Sequence, residues 1–155
     1  VGMGLYGYWP SWAAKVKHPV GFSLKSVLSW KTVIGEIKSI PKGSYVGYDL
    51  TEQVQKNTKT AVLPIGYWHG YDRGLSSVGE VLIRGRRAKI LGRVSMDMVV
   101  VDISGIPKVR VGDEAVLIGR QGREELWADE LALKISTSQY EFLTRINPLI
   151  KRILT

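Results

Sequence analysis

Tyrosines are the residues of this sequence best suited to do chemistry. Tyr48 lies in GSYVGYDLT, Tyr67 and Tyr71 lie in PIGYWHGYDRGL, and Tyr140 lies in SQYE, at a predicted helix start. A phenol has an ordinary pKa near 10, so it accepts a proton only where its surroundings favour the phenolate. Taken one at a time, the spacings favour ordinary amphipathic residues, with the ring in the core and the hydroxyl in water.

The sequence lacks other common catalytic and metal-binding patterns. It has no Gly-x-Gly-x-x-Gly followed by an acid, no phosphate-loop lysine, and no Ser, His and Asp at a recognisable spacing. It has no cysteine and two histidines, His18 and His69, which excludes disulfides and thiolate metal sites. We therefore predict no metal centre.

Composition predicts one folded domain with a short appendage. The chain has 155 residues, 45% hydrophobic content and a formal net charge of +8. No stretch is long and apolar enough to span a membrane, and no charged-then-apolar leader is present, which favours a cytoplasmic location without a membrane partner. Basic residues gather in RGRRAK (84–89) and GRQGR (119–123). Such clusters suit either a solvated hairpin tip or an anionic partner.

Short β-branched and aromatic runs separated by glycine turns predict a mainly β, closed or partly open barrel-like fold. A long strand is expected within Lys25–Ile40, closed by the turn Pro41–Gly43. The remaining predicted strands are Ser44–Tyr48, Thr60–Ile65, Glu80–Ile83, Arg87–Leu91, Val94–Ile103, Glu114–Gly119 and Arg123–Trp127.

Two short helices are expected near the C-terminus. ADELALKI (128–135) has helix-forming composition. SQYE matches a capping box, so a second helix should begin at Gln139 and run to about Ile146. The free N–H groups of that helix start would suit an anion beside Tyr140. The likeliest boundary within the chain is the Pro- and Gly-containing stretch Trp9–Phe22.

Taken together, the motifs resemble the C-terminal domain of alanine racemases. The segments, in order, are LYG (5–7), SYVGYD (44–49), LPIGYWHGYDR (63–73), GRVSMDM (92–98), VGDEAVLIG (111–119) and SQYEFLTRI (138–146). The resemblance implies that residues 1–20 are the end of a pyridoxal phosphate (PLP)-binding barrel with its linker and that residues 21–155 are the β domain. A chain without the barrel lysine should bind no PLP covalently and should be inactive alone.

The resemblance also implies roles for individual residues. Tyr48 corresponds to one of two catalytic bases, a tyrosine and a lysine, that act on opposite faces of the substrate. Substrate contacts are implied for Met96, Tyr67, Arg73, Arg93 and Asp97. Contacts with the PLP phosphate are implied for Gly2, Met3 and Tyr140. The implied partners are alanine and a second subunit, in a homodimer that shares its active sites and supplies D-alanine for peptidoglycan.

Four positions depart from the family pattern. Asp49 replaces a small residue after the catalytic tyrosine, Trp68 and His69 replace a small residue and an aspartate, and Ser138 replaces an apolar residue. We expect His69 to be a solvent-facing loop residue. A racemase for serine or for several amino acids is one alternative. A basic nucleic-acid-binding barrel and a dimerisation module with a decayed site are others.

Overall fold

The computed structural model describes residues 2–17, 21 and 23–154 and is predominantly β. Its strands are β1 (Trp30–Val33), β2 (Glu36–Ile40), β3 (Tyr45–Val46), β4 (Glu52–Gln53), β5 (Thr58–Leu63), β6 (Glu80–Ile83), β7 (Arg86–Leu91), β8 (Val99–Asp102), β9 (Glu114–Gln121) and β10 (Glu124–Leu126). Its helices are α1 (Trp12–Val16), α2 (Ala128–Lys134) and α3 (Gln139–Thr144), with 3₁₀ turns at Gly2–Tyr6, Tyr67–His69 and Arg73–Leu75. None of the helices in the described ranges is long and apolar enough to cross a membrane.

One antiparallel sheet forms most of the fold, in the order β1-β9-β6-β7-β8-β5-β2, with β10 added to β9. The strands at its two ends, β1 and β2, are consecutive in the chain. Within the described ranges no ladder pairs them, so the sheet curls towards a barrel that stays partly open. This confirms the predicted fold class. A separate two-stranded sheet pairs β3 with β4.

The single strand predicted within Lys25–Ile40 is wrong, because the chain changes partners in its middle. The Ile34 amide donates to the carbonyl of Asp113, beside β9, whereas the next amide, of Gly35, donates to Val62 on β5. The break therefore carries the chain from one end of the sheet to the other.

The long strand predicted over Val94–Ile103 is also shorter than expected. Only Val99–Asp102 pairs with neighbouring strands. Residues 94–98 form a loop instead, in which the Ser95 hydroxyl donates to the carbonyl of Met98 at 2.7 Å. The strand predicted over Ser44–Tyr48 likewise ends at Val46, which leaves Tyr48 in a turn.

The core lies along the middle strands of the sheet. Residues 115–118 of β9 and 81–83 of β6 are fully buried aliphatic residues. Tyr71 is also fully buried, with its ring edge-on to Trp30 at a centroid distance of 6.1 Å. Burial raises the pKa of Tyr71 well above its ordinary value. Tyr71 is therefore a core residue and has no access to a substrate.

The C-terminal helices match the sequence closely. The Ser138 hydroxyl accepts a hydrogen bond from the Glu141 amide at 3.2 Å, which confirms the predicted cap, although α3 ends at Thr144 and not at Ile146. Helix α1 was not predicted and lies inside the stretch interpreted as a boundary. His18–Val20 and Phe22 of that stretch lie outside the described residues. Met3 and Tyr8 join the main core, and the division near residue 20 stays a prediction.

Candidate functional site

Six of the predicted site residues line one groove of about 690 Å³: Tyr48, Tyr67, Arg73, Arg93, Met96 and Asp97. They come from four separate segments, which are the β3–β4 turn, two 3₁₀ turns after β5 and the loop between β7 and β8. Val99 and Val100 of β8 add an apolar wall. The loops that replace the predicted strand ends therefore build the groove.

Two glycines bring the Tyr48 turn against the Arg93 loop. Gly47 and Gly92 have φ angles of 83° and 70°, in the left-handed region that favours glycine. A Cβ on Gly92 would lie 2.5 Å from the carbonyl oxygen of Val46. Only glycine permits this approach, which lets Tyr48 and Arg93 form an isolated antiparallel bridge.

The Tyr48 side chain is presented outward from this bridge. It is 61% exposed, and its hydroxyl has no hydrogen-bond partner in the part of the chain that the structure describes. The next two residues, Asp49 and Leu50, have φ angles of 61° and 51°. This backbone conformation is uncommon for residues other than glycine. The turn that carries Tyr48 therefore has an uncommon backbone conformation, and the exposed hydroxyl is available to a ligand.

The two arginines of the groove differ in their partners. Arg93 forms an ion pair with Asp49, across the bridge. Arg73 has no ion-pair or hydrogen-bond partner for its guanidinium among the described residues. The groove thus holds one compensated cation and one cation available to an anionic ligand.

Main-chain hydrogen bonds join the turn that carries Tyr67 to the loop that carries Met96. The Tyr67 amide donates to Ser95 at 3.0 Å, and the Trp68 amide donates to Met96 at 2.9 Å. A Cβ on Gly66 would lie 2.2 Å from the Ser95 carbonyl oxygen. Close backbone packing therefore sets the width of the groove between these two side chains.

His69 has a local structural role in the same turn. Its Nδ1 accepts a hydrogen bond from the Gly66 amide at 3.1 Å, and its ring contacts Trp68 edge-on. A side chain that accepts from this amide closes the turn, as a carboxylate would. His69 is half-buried, so it is less exposed than the solvent-facing residue that the sequence predicts.

Glu52 is an ionised carboxylate that the sequence analysis missed. It accepts hydrogen bonds from the Gly92 amide at 2.7 Å, from the Ser77 hydroxyl and from Lys89 Nζ at 3.2 Å. Burial raises the pKa of Glu52, but these three donors outweigh it and hold the pKa below its ordinary value. The sequence around Tyr48 does not indicate this role of Glu52, because the donors to Glu52 are 25 to 40 residues away from it in sequence.

The three residues predicted to contact a phosphate do not line the groove. Gly2 is exposed with a φ of 42°. No atom of the described residues lies within 4 Å of the point where a Cβ on Gly2 would stand, so a ligand can approach its α-carbon. The Met3 side chain is 7% exposed. Tyr140 is 41% exposed, next to Gln139, whose side-chain Nε2 donates to the Trp9 carbonyl at 2.9 Å. This last bond ties the start of α3 to the N-terminal segment.

The basic cluster at residues 84–89 is largely paired. Arg87 contacts the carboxylates of Glu80, Glu124 and Glu130. Arg84 pairs with Asp113 and Lys89 with Glu52. The described part of the cluster is therefore not a free cationic stripe of the kind that binds nucleic acid.

Comparisons with known proteins identify the family of the chain. Residues 27–154 match the family model "Alanine racemase, C-terminal domain". The chain is 41% identical over 158 residues to the alanine racemase of Leptospira interrogans serovar copenhageni, covering 99% of this chain and 41% of the relative. It is 46% identical over 129 residues to the alanine racemase of Halothermothrix orenii, covering 83% of this chain and 34% of that relative. The chain thus spans about two fifths or less of these relatives' length.

Solved structures give the same result. The chain superposes on the alanine racemase of Bacillus anthracis with bound L-Ala-P with a TM-score of 0.87 and 36% identity, over 94% of this chain and 36% of that one. For the biosynthetic alanine racemase of Pseudomonas aeruginosa the TM-score is 0.83 and the identity 32%, over 98% of this chain and 40% of that one. By sequence and by fold, the chain belongs to the family of alanine racemase C-terminal domains.

Proposed function

We propose that this domain forms one wall of a PLP-dependent active site that interconverts L- and D-alanine. The observation that carries the proposal is the convergence of Tyr48, Tyr67, Arg73, Arg93, Met96 and Asp97 on one groove. These residues come from four separate segments of the chain, and a merely structural surface has no need to gather them. The family of the chain adds independent support.

Tyr48 acts as the base on one face of the substrate. Inversion at the α-carbon requires one group to remove the proton and another to return it from the opposite side. PLP, when bound, takes up the electron pair left at the α-carbon. The exposed hydroxyl of Tyr48 suits the first task, and a lysine of the PLP-binding domain serves the other face. A cationic group of that domain near Tyr48 would favour the phenolate.

Charge in the groove orients the amino acid. Arg73, with its guanidinium free of described partners, attracts the carboxylate of the zwitterion. The main chain of Met96 meets that carboxylate, and Asp97 orients Met96 from the neighbouring position. Tyr67 and the Arg93–Asp49 pair flank the entrance.

Gly2, Met3 and Tyr140 fit the phosphate of PLP. A phosphate is held by N–H and O–H donors, and glycine permits close approach of the backbone. The unobstructed Gly2 and the exposed Tyr140 ring meet these requirements, while the buried side chain of Met3 leaves only its backbone for a ligand. These three residues would hold the phosphate.

A second subunit completes the site. Tyr48, Leu50, Trp68, Met96 and Met98 form an apolar rim around the groove, and each is between 45% and 63% exposed. Exposed apolar rims of this kind mark protein interfaces. The rim supports a homodimer in which this domain faces the PLP-binding domain of the partner. We place this dimer in the cytoplasm, and its function requires no nucleic acid.

The test is racemisation by the polypeptide that carries this domain together with a PLP-binding domain. L- and D-alanine are incubated with PLP in deuterated water, and both inversion and deuterium incorporation are followed, with serine in parallel. We expect alanine to be racemised in both directions and faster than serine. Comparable rates for serine would make the enzyme a broader racemase, and no turnover of any amino acid would refute the proposal.

A further inference from the structure

The turn that carries Tyr48 is attached to the Gly92–Arg93 segment by two carboxylates that follow the tyrosine in sequence. Asp49, one residue after Tyr48, pairs with the Arg93 guanidinium. Glu52, four residues after Tyr48, accepts the Gly92 amide at 2.7 Å. Two carboxylates, one in the turn and one at the start of β4, therefore hold two consecutive residues of the opposite loop.

Main-chain contacts also hold this turn, because β3 pairs with β4 on either side of it and Tyr48 forms a bridge with Arg93. Its internal main-chain bond runs from the Leu50 amide to the Gly47 carbonyl at 3.3 Å. Asp49 and Leu50 both adopt left-handed backbone conformations, which must be stabilised by surrounding contacts. Because the described structure gives the Tyr48 hydroxyl no partner, the ring does not anchor the turn itself.

Glu52 is the stronger of the two attachments. Its side chain is 20% exposed, whereas those of Asp49 and Arg93 are 47% and 41% exposed. Water weakens exposed ion pairs, and a carboxylate that receives three donors away from solvent is held more firmly. Glu52 also does not line the groove, so it has no contact with a substrate there.

We infer that Glu52 is a positioning residue that fixes the Tyr48 hydroxyl over the groove by holding Gly92, with Asp49 as a weaker second attachment. The inference rests on the proposed function, because it concerns the same tyrosine. It adds a requirement, namely that the efficiency of proton removal on one face depends on a carboxylate outside the groove. A displacement of about 1 Å can cost a catalytic group on the order of a hundredfold in rate.

The test compares Glu52→Ala, Glu52→Gln and the matched control Glu36→Gln, whose parent pairs with Lys38 on the exposed face of β2. The first readout is amide hydrogen exchange at Gly92, which needs no activity. Glu52→Ala should lose protection there, Glu52→Gln should retain part of it, and Glu36→Gln should match wild type.

The second readout is α-proton removal from each alanine enantiomer, measured with KM. Glu52→Ala should slow removal from the enantiomer served by Tyr48 by roughly ten- to a hundredfold, with KM little changed, and spare the other enantiomer. Glu52→Gln should restore part of the rate.

Three results would overturn the inference. One is unchanged protection of Gly92 in Glu52→Ala, and another is an equal loss for both enantiomers, which indicates general destabilisation. The third is lost protection with wild-type rates. In all three cases racemisation by wild type shows that the proposed function stands, whereas an inactive wild type refutes the function and the inference together.

Discussion

Two arginine-containing regions of this molecule teach how charge divides between structure and function. Arg87 on β7 is enclosed by Glu80, Glu124 and Glu130 and also donates to the carbonyl of Glu125. The hydrogen bonds that Arg87 donates to Glu130, Glu80 and Glu124 raise the pKa of Arg87 further above its ordinary value. Arg73, at the groove, has no such partner among the described residues. A saturated cation stabilises the fold, and an unsaturated one remains available to a ligand.

The largest effect should come from the backbone contact beneath the groove. Gly92→Ala places a Cβ 2.5 Å from the Val46 carbonyl oxygen at a positive φ, so we expect a loss of about 3 kcal/mol in the free energy of unfolding. Gly112→Ala is the matched control, because Gly112 has a φ of 87° but open space around it. It should cost only about 1–2 kcal/mol. Urea denaturation measures both, and equal losses would show that the close approach carries no energy.

Arg87→Met should reduce stability without changing the groove. The substitution leaves three carboxylates close together, and we expect a loss of about 1–2 kcal/mol, because the cluster is partly solvent-exposed. Thermal and urea unfolding measure the loss. The KM for alanine should stay at its wild-type value under folded conditions. A changed KM would show that the Arg87 cluster also affects substrate binding at the groove.

Arg73→Met should have the opposite effect. Because the guanidinium has no described partner, the free energy of unfolding should change by less than about 0.5 kcal/mol. The KM for alanine should rise on the order of tenfold, equivalent to about 1.4 kcal/mol of binding. Steady-state kinetics measures the change. A destabilised variant with wild-type KM would make Arg73 a structural residue.

Acid should weaken the Arg87 cluster through Glu80. Burial raises the pKa of Glu80, but hydrogen bonds from Lys134 and Arg87 outweigh it, so the folded-state pKa lies below the ordinary value. Glu80 therefore contributes stability that is complete above the pKa of an unfolded glutamate and is lost as pH falls through the lower folded-state value.

Unfolding midpoints of wild type and Glu80→Gln, measured between about pH 6 and about pH 3, check this prediction. The variant should be less stable at the higher pH and should lose less stability on acidification. If the unfolding midpoints of the two proteins fell in parallel with pH, Glu80 would be excluded as a source of the acid sensitivity.

The sequence predicted the regular elements well and the loops poorly. Alternation and glycine turns located β6 exactly where it lies, β7 to within one residue, and the capping box located the start of α3. The break at Ile34–Gly35 was missed because it depends on segments that are distant in sequence. The Ile34 amide donates to the carbonyl of Asp113, and the Gly35 amide donates to the carbonyl of Val62. The loop over residues 94–98 reads as a strand by composition, but packing against the turn at Gly66 overrides this preference.

The groove followed from motifs and not from spacing. Six of its residues were expected from the family resemblance, whereas Tyr71 was indistinguishable from the other tyrosines until its burial was known. Glu52 and its contacts with Gly92 were not predictable, since nothing local in TEQV indicates an acceptor for a distant amide. Contacts between remote segments are what the sequence alone did not provide.

The central claim, that Tyr48 is the base on one face of the substrate, is tested most directly with Tyr48→Phe. Removal of the α-proton from L- and D-alanine is measured separately in deuterated water, with the variant and the wild type. The account predicts a loss on the order of 10²- to 10⁴-fold for one enantiomer and a far smaller change for the other. Wild-type rates for both enantiomers would contradict it, and the groove would then serve binding without catalysis by Tyr48.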